Sequence, residues 1–467
     1  MKTKEMTKRI AIGMLSCIMA TSMLAGCGTS KKAEDDGKIK ISVGKWPEKG
    51  TEAYDLKQKQ VERFNEKYPD IEIVGDTYAY SIDTFTAKAT AGTLPTLIPT
   101  WFTEVDKIIG AGYAADITDA LKEAGWLEQM NTDIVKYVSD KDGRVYGIPF
   151  KVYAQGLYIN KPLFKQAGLV DENGDVIIPK TYDELYEAAK TINTKTGKAG
   201  FGLPTINNNG GWHTINIAWA YGADFLKKSA DGKYTSNMNT SETVAAYEWV
   251  KKMRAAKVFP DNPNLVMDNL QELFASNQLA MMFGEPSYFN NMAKKFGKNP
   301  EEIVLASIPE GPKRRASQMG GDLYMIAANA TPEQIDACLK WIDFSGQGPT
   351  LEDQTIVTLK ENWQSTLEQG GAVLPKDAFY LWTDENRVQK LDEARKDLAN
   401  VPEENIANYL SFENVTLMPE PEVGCQELYS ELDKVVQAIY SDSNADVAAL
   451  IKAASDNWQV NCLDNLK

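Results

Sequence analysis

Tryptophan and tyrosine are the residues of this sequence with the clearest potential for chemistry. The chain has 10 Trp and 20 Tyr among 467 residues but a single histidine, His213. One histidine argues against a histidine-based metal site or a Ser-His-Asp triad. The glycine-rich phosphate and dinucleotide motifs, the zinc-protease motif and the nucleophile-elbow motif are missing from the sequence. These residues predict noncovalent binding on aromatic surfaces, with no catalysis, no metal and no cofactor.

The overall composition excludes some classes of partner. Lys and Arg total 50 and Asp and Glu total 65, giving a net charge of −15. Such an acidic surface repels phosphate backbones, so nucleic acid is not an expected partner. With 43% hydrophobic residues, the chain is too apolar for disorder and too long for one small domain. Two domains around separate cores are therefore expected.

Hydrophobic periodicity indicates which elements position these residues. Residues 39–43 alternate between apolar and polar, which predicts a strand, and residues 54–68 have helical spacing. A second strand follows at 71–74, and this βαβ order favours a parallel sheet. From Pro332 onward the pattern is mostly helical. Further strands are predicted at 97–98, 145–149, 152–159 and 280–283.

The N-terminus has the pattern of a targeting signal. A basic start is followed by an apolar run over residues 10–20 and then by small residues. Leu24-Ala25-Gly26-Cys27 resembles the bacterial lipobox. We therefore predict a lipoprotein signal peptide at 1–26, with lipid (diacylglycerol and palmitate) on Cys27. Residues 27–37 are polar and fit a flexible tether.

Three further cysteines lie in the predicted mature domain, and their spacing matches no metal motif. Cys338 falls on the apolar face of a predicted helix. Whether Cys425 and Cys462 form a disulfide in an extracellular setting is left open by the sequence.

Several segments together resemble bacterial ABC-transporter extracellular solute-binding proteins of the sugar-binding, maltose-binding-protein-like family. One of them reads Gly-Leu-Tyr-Ile-Asn-Lys-Pro-Leu-Phe over residues 156–164. Segment 350–420 looks less typical of that family. The segments that carry the resemblance lie at 153–168, 179–189, 200–203, 218–225, 273–282 and 320–327.

This resemblance implies an α/β, two-lobed periplasmic-binding-protein-like fold with hinge strands and a helical C-terminal region. Its ligand would lie in the cleft between the lobes, which close by a hinge motion. The expected boundaries are lobe one at 38–152 plus 307–350, lobe two at 153–306, and at 351–467 a mainly helical part packed mostly on lobe two.

The implied function is an extracellular carbohydrate-binding lipoprotein, for a ligand that is most simply an oligosaccharide. Its partners would be the transmembrane permease subunits of an ABC importer, and the membrane reached through Cys27. The protein would be a monomer, anchored on the extracytoplasmic face of the cell membrane. Two alternatives stay open: a receptor of the same fold for a peptide or polyamine, and a secreted glycoside-active enzyme.

A sugar-binding cleft needs aromatic planes with carboxylates and amides at its edge. In α/β sheets such residues follow the carboxyl ends of strands. Of the tryptophans, Trp219, Trp249 and Trp341 are assigned to the core because of their helical spacing. The predicted ligand-binding residues are Trp46, Glu48, Tyr78, Tyr80, Trp101, Glu104, Tyr153, Gln155, Trp212, His213, Glu285, Tyr288, Gly321, Asp322 and Trp382.

Overall fold

Residues 37–466 are described by a computed structural model of the chain. The strands are β1 (Ile39–Val43), β2 (Ile71–Gly75), β3 (Leu97–Trp101), β4 (Gly147–Ala154), β5 (Gly156–Asn160), β6 (Leu226–Lys228), β7 (Tyr234–Ser236), β8 (Met281–Gly284), β9 (Ile303–Ser307), β10 (Arg315–Ile326) and β11 (Val415–Met418). The signal peptide, Cys27 and most of the tether predicted from the sequence lie outside the described residues.

The α-helices alternate with these strands and then dominate the C-terminal third, as the apolar pattern predicts. They are α1 (Glu52–Lys67), α2 (Ile82–Thr90), α3 (Val105–Gly110), α4 (Thr118–Glu123), α5 (Thr132–Val135), α6 (Lys161–Ala167), α7 (Tyr182–Thr196), α8 (Asn209–Tyr221), α9 (Ser241–Ala255), α10 (Met267–Ala275), α11 (Tyr288–Phe296), α12 (Pro332–Phe344), α13 (Asp353–Glu368), α14 (Glu385–Lys396), α15 (Ala407–Ser411), α16 (Cys425–Ser441) and α17 (Val447–Asn461). Along residues 37–466, no helix combines the length and apolarity that crossing a membrane requires.

The larger sheet has the strand order β11-β10-β3-β1-β2, and β4 also pairs with β10. β1 runs parallel to β2 and β3, as the βαβ pattern predicts. β10 runs antiparallel to β3 and to β4. The carboxyl end of β3 therefore lies beside the middle of β10, which fixes one wall of the cleft described below.

The buried residues form two separate hydrophobic cores. The first packs the larger sheet against α12 and includes Leu97 and Trp341, and we call the elements around it lobe one. The second surrounds the antiparallel sheet β8-β5-β9, and we call its elements lobe two. Trp219 and Trp249 are buried in this second core. The assignment of these three tryptophans to the core is thus confirmed.

Residues 152–159, which the sequence predicts as one strand, are divided between the two lobes at Gln155. β4 before it pairs with β10, whereas β5 after it pairs with β8 and β9. Gly156 permits the change of sheet because a Cβ there would lie 2.5 Å from the Ala306 carbonyl oxygen. β10 makes the same crossing, since Ala316 is in the core of lobe two and Leu323 in that of lobe one.

The C-terminal part is divided between both cores. α16 and α17 pack into lobe two, where Trp458 is 1% exposed. Trp382 belongs to the core of lobe one, and Arg63 of α1 pairs with Glu361 of α13 at 2.8 Å. Cys425 and Cys462 are free thiols, so the disulfide that the sequence left open is not formed.

Candidate binding cleft

A cavity of about 400 Å³ lies between lobe one and lobe two. Lobe one contributes the end of β3 and the middle of β10, while lobe two contributes the start of α8 and the turn after β8. A further wall comes from the segment after β11 and from α16. The lining residues are Ile82, Trp101, Phe102, Thr103, Tyr153, Asn207, Asn208, Asn209, Trp212, Glu285, Tyr288, Gly321, Asp322, Glu420, Gln426 and Tyr429.

Strand register brings three of the polar and aromatic groups together on lobe one. Asp322 of β10 is the register partner of Trp101 on β3 and of Lys151 on β4. Directly opposed residues of antiparallel strands point to the same face of a sheet, so these side chains share one face. Trp101 is 39% exposed, and its ring lies 5.0 Å from that of Tyr80 behind it.

Lobe two presents Trp212 from the first turn of α8. Asp433 of α16 accepts hydrogen bonds from the backbone N–H groups of Asn208 (2.7 Å) and Gly211 (2.8 Å). This carboxylate accepts hydrogen bonds from N–H groups that have no partner within the helix. Its negative charge also interacts favourably with the dipole of α8 at the helix N-terminus. A Cβ at Gly211 would lie 2.4 Å from the Tyr429 carbonyl oxygen, so only glycine allows α8 and α16 this close approach. The first turn of α8, which carries the half-buried Trp212, is thereby fixed against α16.

A salt bridge joins the two lobes beside the cleft. Lys151 Nζ of lobe one lies 3.1 Å from Glu285 Oε1 of lobe two, and 4.8 Å from the centroid of the Tyr153 ring. Glu285 Oε2 also accepts a 2.8 Å hydrogen bond from the Ser287 N–H. The pKa of Asp322 is raised by burial, an effect that Lys151 and Lys45 partly offset. Among the described residues, none donates a hydrogen bond to the Asp322 carboxylate, which leaves it available to a ligand.

Glu420 is a third carboxylate that lines the cleft, two residues after β11. Its Oε1 accepts a 2.7 Å hydrogen bond from the Tyr429 hydroxyl and another from the Gln318 amide. Burial raises the pKa of Glu420 to about 7. This carboxyl therefore titrates near neutral pH, whereas an unperturbed glutamate carboxyl titrates at about pH 4.3.

A buried amide network supports these side chains at the crossing between the lobes. Gln155 Nε2 donates to Gln318 Oε1 at 3.0 Å and to the Trp212 carbonyl oxygen at 3.1 Å. Gln318 in turn donates to the Tyr429 hydroxyl at 2.9 Å. Buried hydrogen bonds of this kind hold their members in one arrangement, although Gln155 Oε1 has no partner among the described residues. Gln155 thus positions the cleft from behind without lining it.

The structure brings together seven of the predicted site residues at this cavity, and three more directly support it. Tyr80 donates a hydrogen bond to the buried Glu104, and both lie behind Trp101. Gln155 acts through the network above. The seven that line the cavity are Trp101, Tyr153, Trp212, Glu285, Tyr288, Gly321 and Asp322.

Three predicted residues near β1 and β2 lie away from the cleft. Trp46 is 7% exposed because its ring stacks on Trp341 of α12, with ring centroids 6.0 Å apart. Tyr78 is also buried. Glu48 is exposed, and its carbonyl oxygen accepts a hydrogen bond from the residue that caps α1. We do not include these residues in the proposed site.

His213 and Trp382 also lie outside the cleft. His213 is fully buried, with Nδ1 2.7 Å from the Asn209 carbonyl oxygen. Desolvation lowers the pKa of His213 to about 4, so the ring is neutral at physiological pH. Trp382 is 3% exposed and donates from Nε1 to the Gln347 carbonyl oxygen at 2.8 Å. Over residues 37–466, no group of three His, Cys, Asp or Glu side chains is placed to hold a metal ion.

The C-terminal wall of the cleft was not predicted from the sequence. Glu420, Gln426 and Tyr429 line it, and they lie in the region after Pro332 where the hydrophobic pattern predicts mostly helices. Glu420 follows the short strand β11 and lies between Pro419 and Pro421, but a strand of four residues has no alternation that reveals it in the sequence. The rule that selected Glu285 would have selected Glu420 if β11 had been recognised.

Comparison with known proteins shows the family of this chain. A family model for bacterial extracellular solute-binding proteins matches residues 59–359. The chain belongs to this family. The resemblance inferred from sequence segments is thereby confirmed, and the two-lobed α/β class agrees with the solved structures described below.

Among relatives of this solute-binding protein, the diacetylchitobiose binding protein DasA of Streptomyces coelicolor is 27% identical over 56% of this chain and 59% of the relative. The polygalacturonan/rhamnogalacturonan-binding protein YtcQ of Bacillus subtilis is 28% identical over 68% of this chain and 66% of the relative. The matched region is therefore less than two thirds of either relative's length.

Solved structures show the same fold over nearly the whole solute-binding protein. Maltose-bound MalE3 of T. maritima has a TM-score of 0.65 at 23% identity, covering 90% of this chain and 99% of that one. The GacH receptor of Streptomyces glaucescens, solved unliganded and with acarbose, has a TM-score of 0.65 at 18% identity and covers 92% of this chain and 100% of that one.

Proposed function

We propose that this solute-binding protein is a carbohydrate receptor that binds a saccharide between its lobes and delivers it to the permease of an ABC importer. The observation that carries the proposal is the cavity lined by Trp101 from lobe one and Trp212 from lobe two. Sugar rings present C–H faces that pack on aromatic planes. Because one plane comes from each lobe, ligand binding and lobe closure would stabilise each other.

The polar groups of the cleft match the hydroxyl edge of a sugar. Asp322 and Glu420 offer acceptor oxygens, and the 207–209 loop offers three asparagine amides that both donate and accept. The names of DasA and YtcQ, both of which refer to saccharides, support the same class of ligand. We infer a non-catalytic receptor, since these relatives are binding proteins.

A thermal-shift screen tests the proposal against the alternative ligands. The probes are neutral, N-acetylated and uronic oligosaccharides, with a tripeptide and spermidine for the peptide and polyamine alternatives. A ligand present at 100 times its Kd stabilises the folded state by about 2.7 kcal/mol, which raises Tm by a few degrees. We expect a rise with at least one saccharide. A rise with only the peptide or the polyamine would contradict the sugar assignment while keeping the receptor.

A glycoside-active enzyme is distinguished by its products. Incubation of the protein with the saccharide that gives the largest thermal shift should leave that saccharide intact when analysed by mass spectrometry. Cleavage that is lost in Asp322→Asn or Glu285→Gln would instead support catalysis by this carboxylate pair.

We further propose that the protein is anchored to the extracytoplasmic face of the cell membrane through Cys27. In cells fed an alkyne-tagged palmitate, the full-length chain should become labelled and sediment with membranes. Cys27→Ser should lose at least 90% of the label, because no other residue of the lipobox carries a thiol. Cys17→Ser is the matched control and should label normally. Equal labelling of both variants would refute the anchor on Cys27.

Glu420 should make the stability of the folded protein fall as the pH rises. Its pKa in the folded protein is about 7, above the ordinary value of 4.5, so the folded state binds this proton more tightly than the unfolded chain does. The resulting stability is fully present below pH 4.5 and is lost as the pH rises through about 7. We expect the urea midpoint of the wild type to fall from pH 5 to pH 8, and Glu420→Gln to fall less. Identical pH profiles of the two proteins would contradict this role for Glu420.

A further inference from the structure

A second cavity, of about 320 Å³, adjoins the cleft. Tyr153 lines both cavities, and the Lys151–Glu285 salt bridge stands at their boundary. Ser287, which donates to Glu285, lines the second cavity on the side of lobe two. The second cavity and the binding cleft are therefore neighbours that share part of their walls.

Tryptophan exposure singles out this cavity. Seven of the ten tryptophans are at most 7% exposed. The other three are Trp101 and Trp212, which line the cleft, and Trp363, which lines the second cavity and is half-buried. An accessible aromatic ring at a cavity is the feature on which the proposed sugar site itself depends. Trp363 is likewise an accessible aromatic ring at a cavity, on the far side of the Lys151–Glu285 salt bridge from the cleft.

The Trp363 ring packs against a guanidinium that is itself fixed by an ion pair. Arg395 of α14 lies with its guanidinium carbon 5.1 Å from the Trp363 ring centroid. Asp377 holds that guanidinium through two hydrogen bonds of 3.0 and 2.7 Å. Arg395 is only 7% exposed, and its Nε has no hydrogen-bond partner among the described residues. Such a preorganised group binds a ligand with little loss of side-chain entropy.

The charged groups at this cavity are already neutralised. Lys151 pairs with Glu285, Lys376 with Glu403 at 2.8 Å, and Arg395 with Asp377. An anionic ligand needs a cation that is not committed to another carboxylate. The cavity therefore suits uncharged sugar units better than uronic acids or sugar phosphates. Trp363 and Arg395, which line this cavity, come after residue 359 in the sequence, where the match to the family model ends.

We propose that the second cavity binds further units of the same saccharide chain, with Trp363 as the stacking plane for a unit beyond those held in the cleft. The ligand class is an uncharged oligosaccharide longer than a disaccharide. This inference rests on the proposed carbohydrate function and specifies the length and charge of its ligand.

The test is a chain-length series measured by calorimetric titration. The probes are malto-oligosaccharides and N-acetylated chito-oligosaccharides of two to six units, with oligogalacturonates of the same lengths as anionic counterparts. In the wild type, we expect affinity for one neutral series to rise at least tenfold from the disaccharide to longer chains. Trp363→Ala should abolish that gain and leave disaccharide affinity within twofold. Trp212→Ala should weaken binding at every length.

Trp363→Leu serves as the second variant, because it keeps an apolar side chain beneath Arg395 if the alanine variant unfolds. The inference is overturned if wild-type affinity does not rise with length, if either Trp363 variant keeps the full gain, or if oligogalacturonates bind as tightly as neutral chains. Binding of no saccharide at all would instead refute the carbohydrate function on which the inference rests. The two failures are thus distinguishable.

Discussion

Trp212→Ala should weaken saccharide binding by at least 30-fold, the largest loss of affinity that we expect from one substitution. The ring lies at the first turn of α8 and lines the cleft opposite Trp101. Central aromatic residues of a binding site typically contribute about 2 kcal/mol or more, and a tenfold change in Kd corresponds to about 1.4 kcal/mol. Calorimetric titration with the tightest saccharide of the thermal-shift screen measures the effect.

The fold of the Trp212→Ala variant should be preserved, because its side chain is half-buried and its backbone contacts remain. The Gln155 amide donates to the Trp212 carbonyl oxygen, which alanine also provides. Trp212→Phe should recover part of the affinity. Tyr186→Ala is the matched control, since Tyr186 is a half-buried aromatic residue of lobe two that does not line the cleft. If Trp212→Ala bound as tightly as Tyr186→Ala, stacking on Trp212 would be excluded.

Phe201→Ala should lower the free energy of unfolding of lobe two by about 3–5 kcal/mol, the range measured when a buried aromatic residue is truncated. Phe201 is 0% exposed and packs against Phe283 of β8 at a ring-centroid distance of 5.0 Å. It also meets Trp249 and Phe259, at 6.2 and 6.1 Å. Truncation would leave a cavity that this aromatic cluster cannot close.

Urea unfolding followed by circular dichroism measures that loss. Ile177→Ala is the control, because Ile177 is 53% exposed and its truncation should change stability by less than about 0.5 kcal/mol. Because each lobe has its own core, we expect the unfolding transition of lobe two to shift more than that of lobe one. A loss below 1 kcal/mol in Phe201→Ala would show that the cluster does not support lobe two as described.

Local pattern was sufficient to predict those site residues that directly follow a recognisable strand. β3 is a buried apolar run, and the rule that ligands lie beyond the carboxyl ends of strands led to Trp101. The same rule led to Glu285, directly after β8. In both cases, the sequence near the residue determines its position, so no distant contact had to be known.

Long-range packing decided the residues that the sequence misplaced. Trp46 lies in a loop and has the local features of a ligand contact, but Trp341 of α12, far along the chain, covers its ring. Trp382 is covered in the same way by Trp126, at a ring-centroid distance of 5.3 Å. Hydrophobic periodicity contains no information on which helix packs over a given loop. Exposure of a loop aromatic therefore could not be predicted.

Glu420 illustrates a different reason for a missed residue. Its strand β11 has only four residues and gains its pairing from β10, about 100 residues earlier. A strand this short has no alternation from which it could be recognised. The wall that it supports, with Tyr429 and Gln426, consequently became visible only in the folded chain.

The central claim, that a saccharide binds between the two lobes, is tested most directly by calorimetric titration of the purified protein with a panel of oligosaccharides. The account predicts saturable binding of at least one saccharide with one site per chain, and loss of that binding in both Trp101→Ala and Trp212→Ala. The absence of saturable heat across neutral, N-acetylated and uronic oligosaccharides would contradict it. So would saccharide binding that neither substitution weakens.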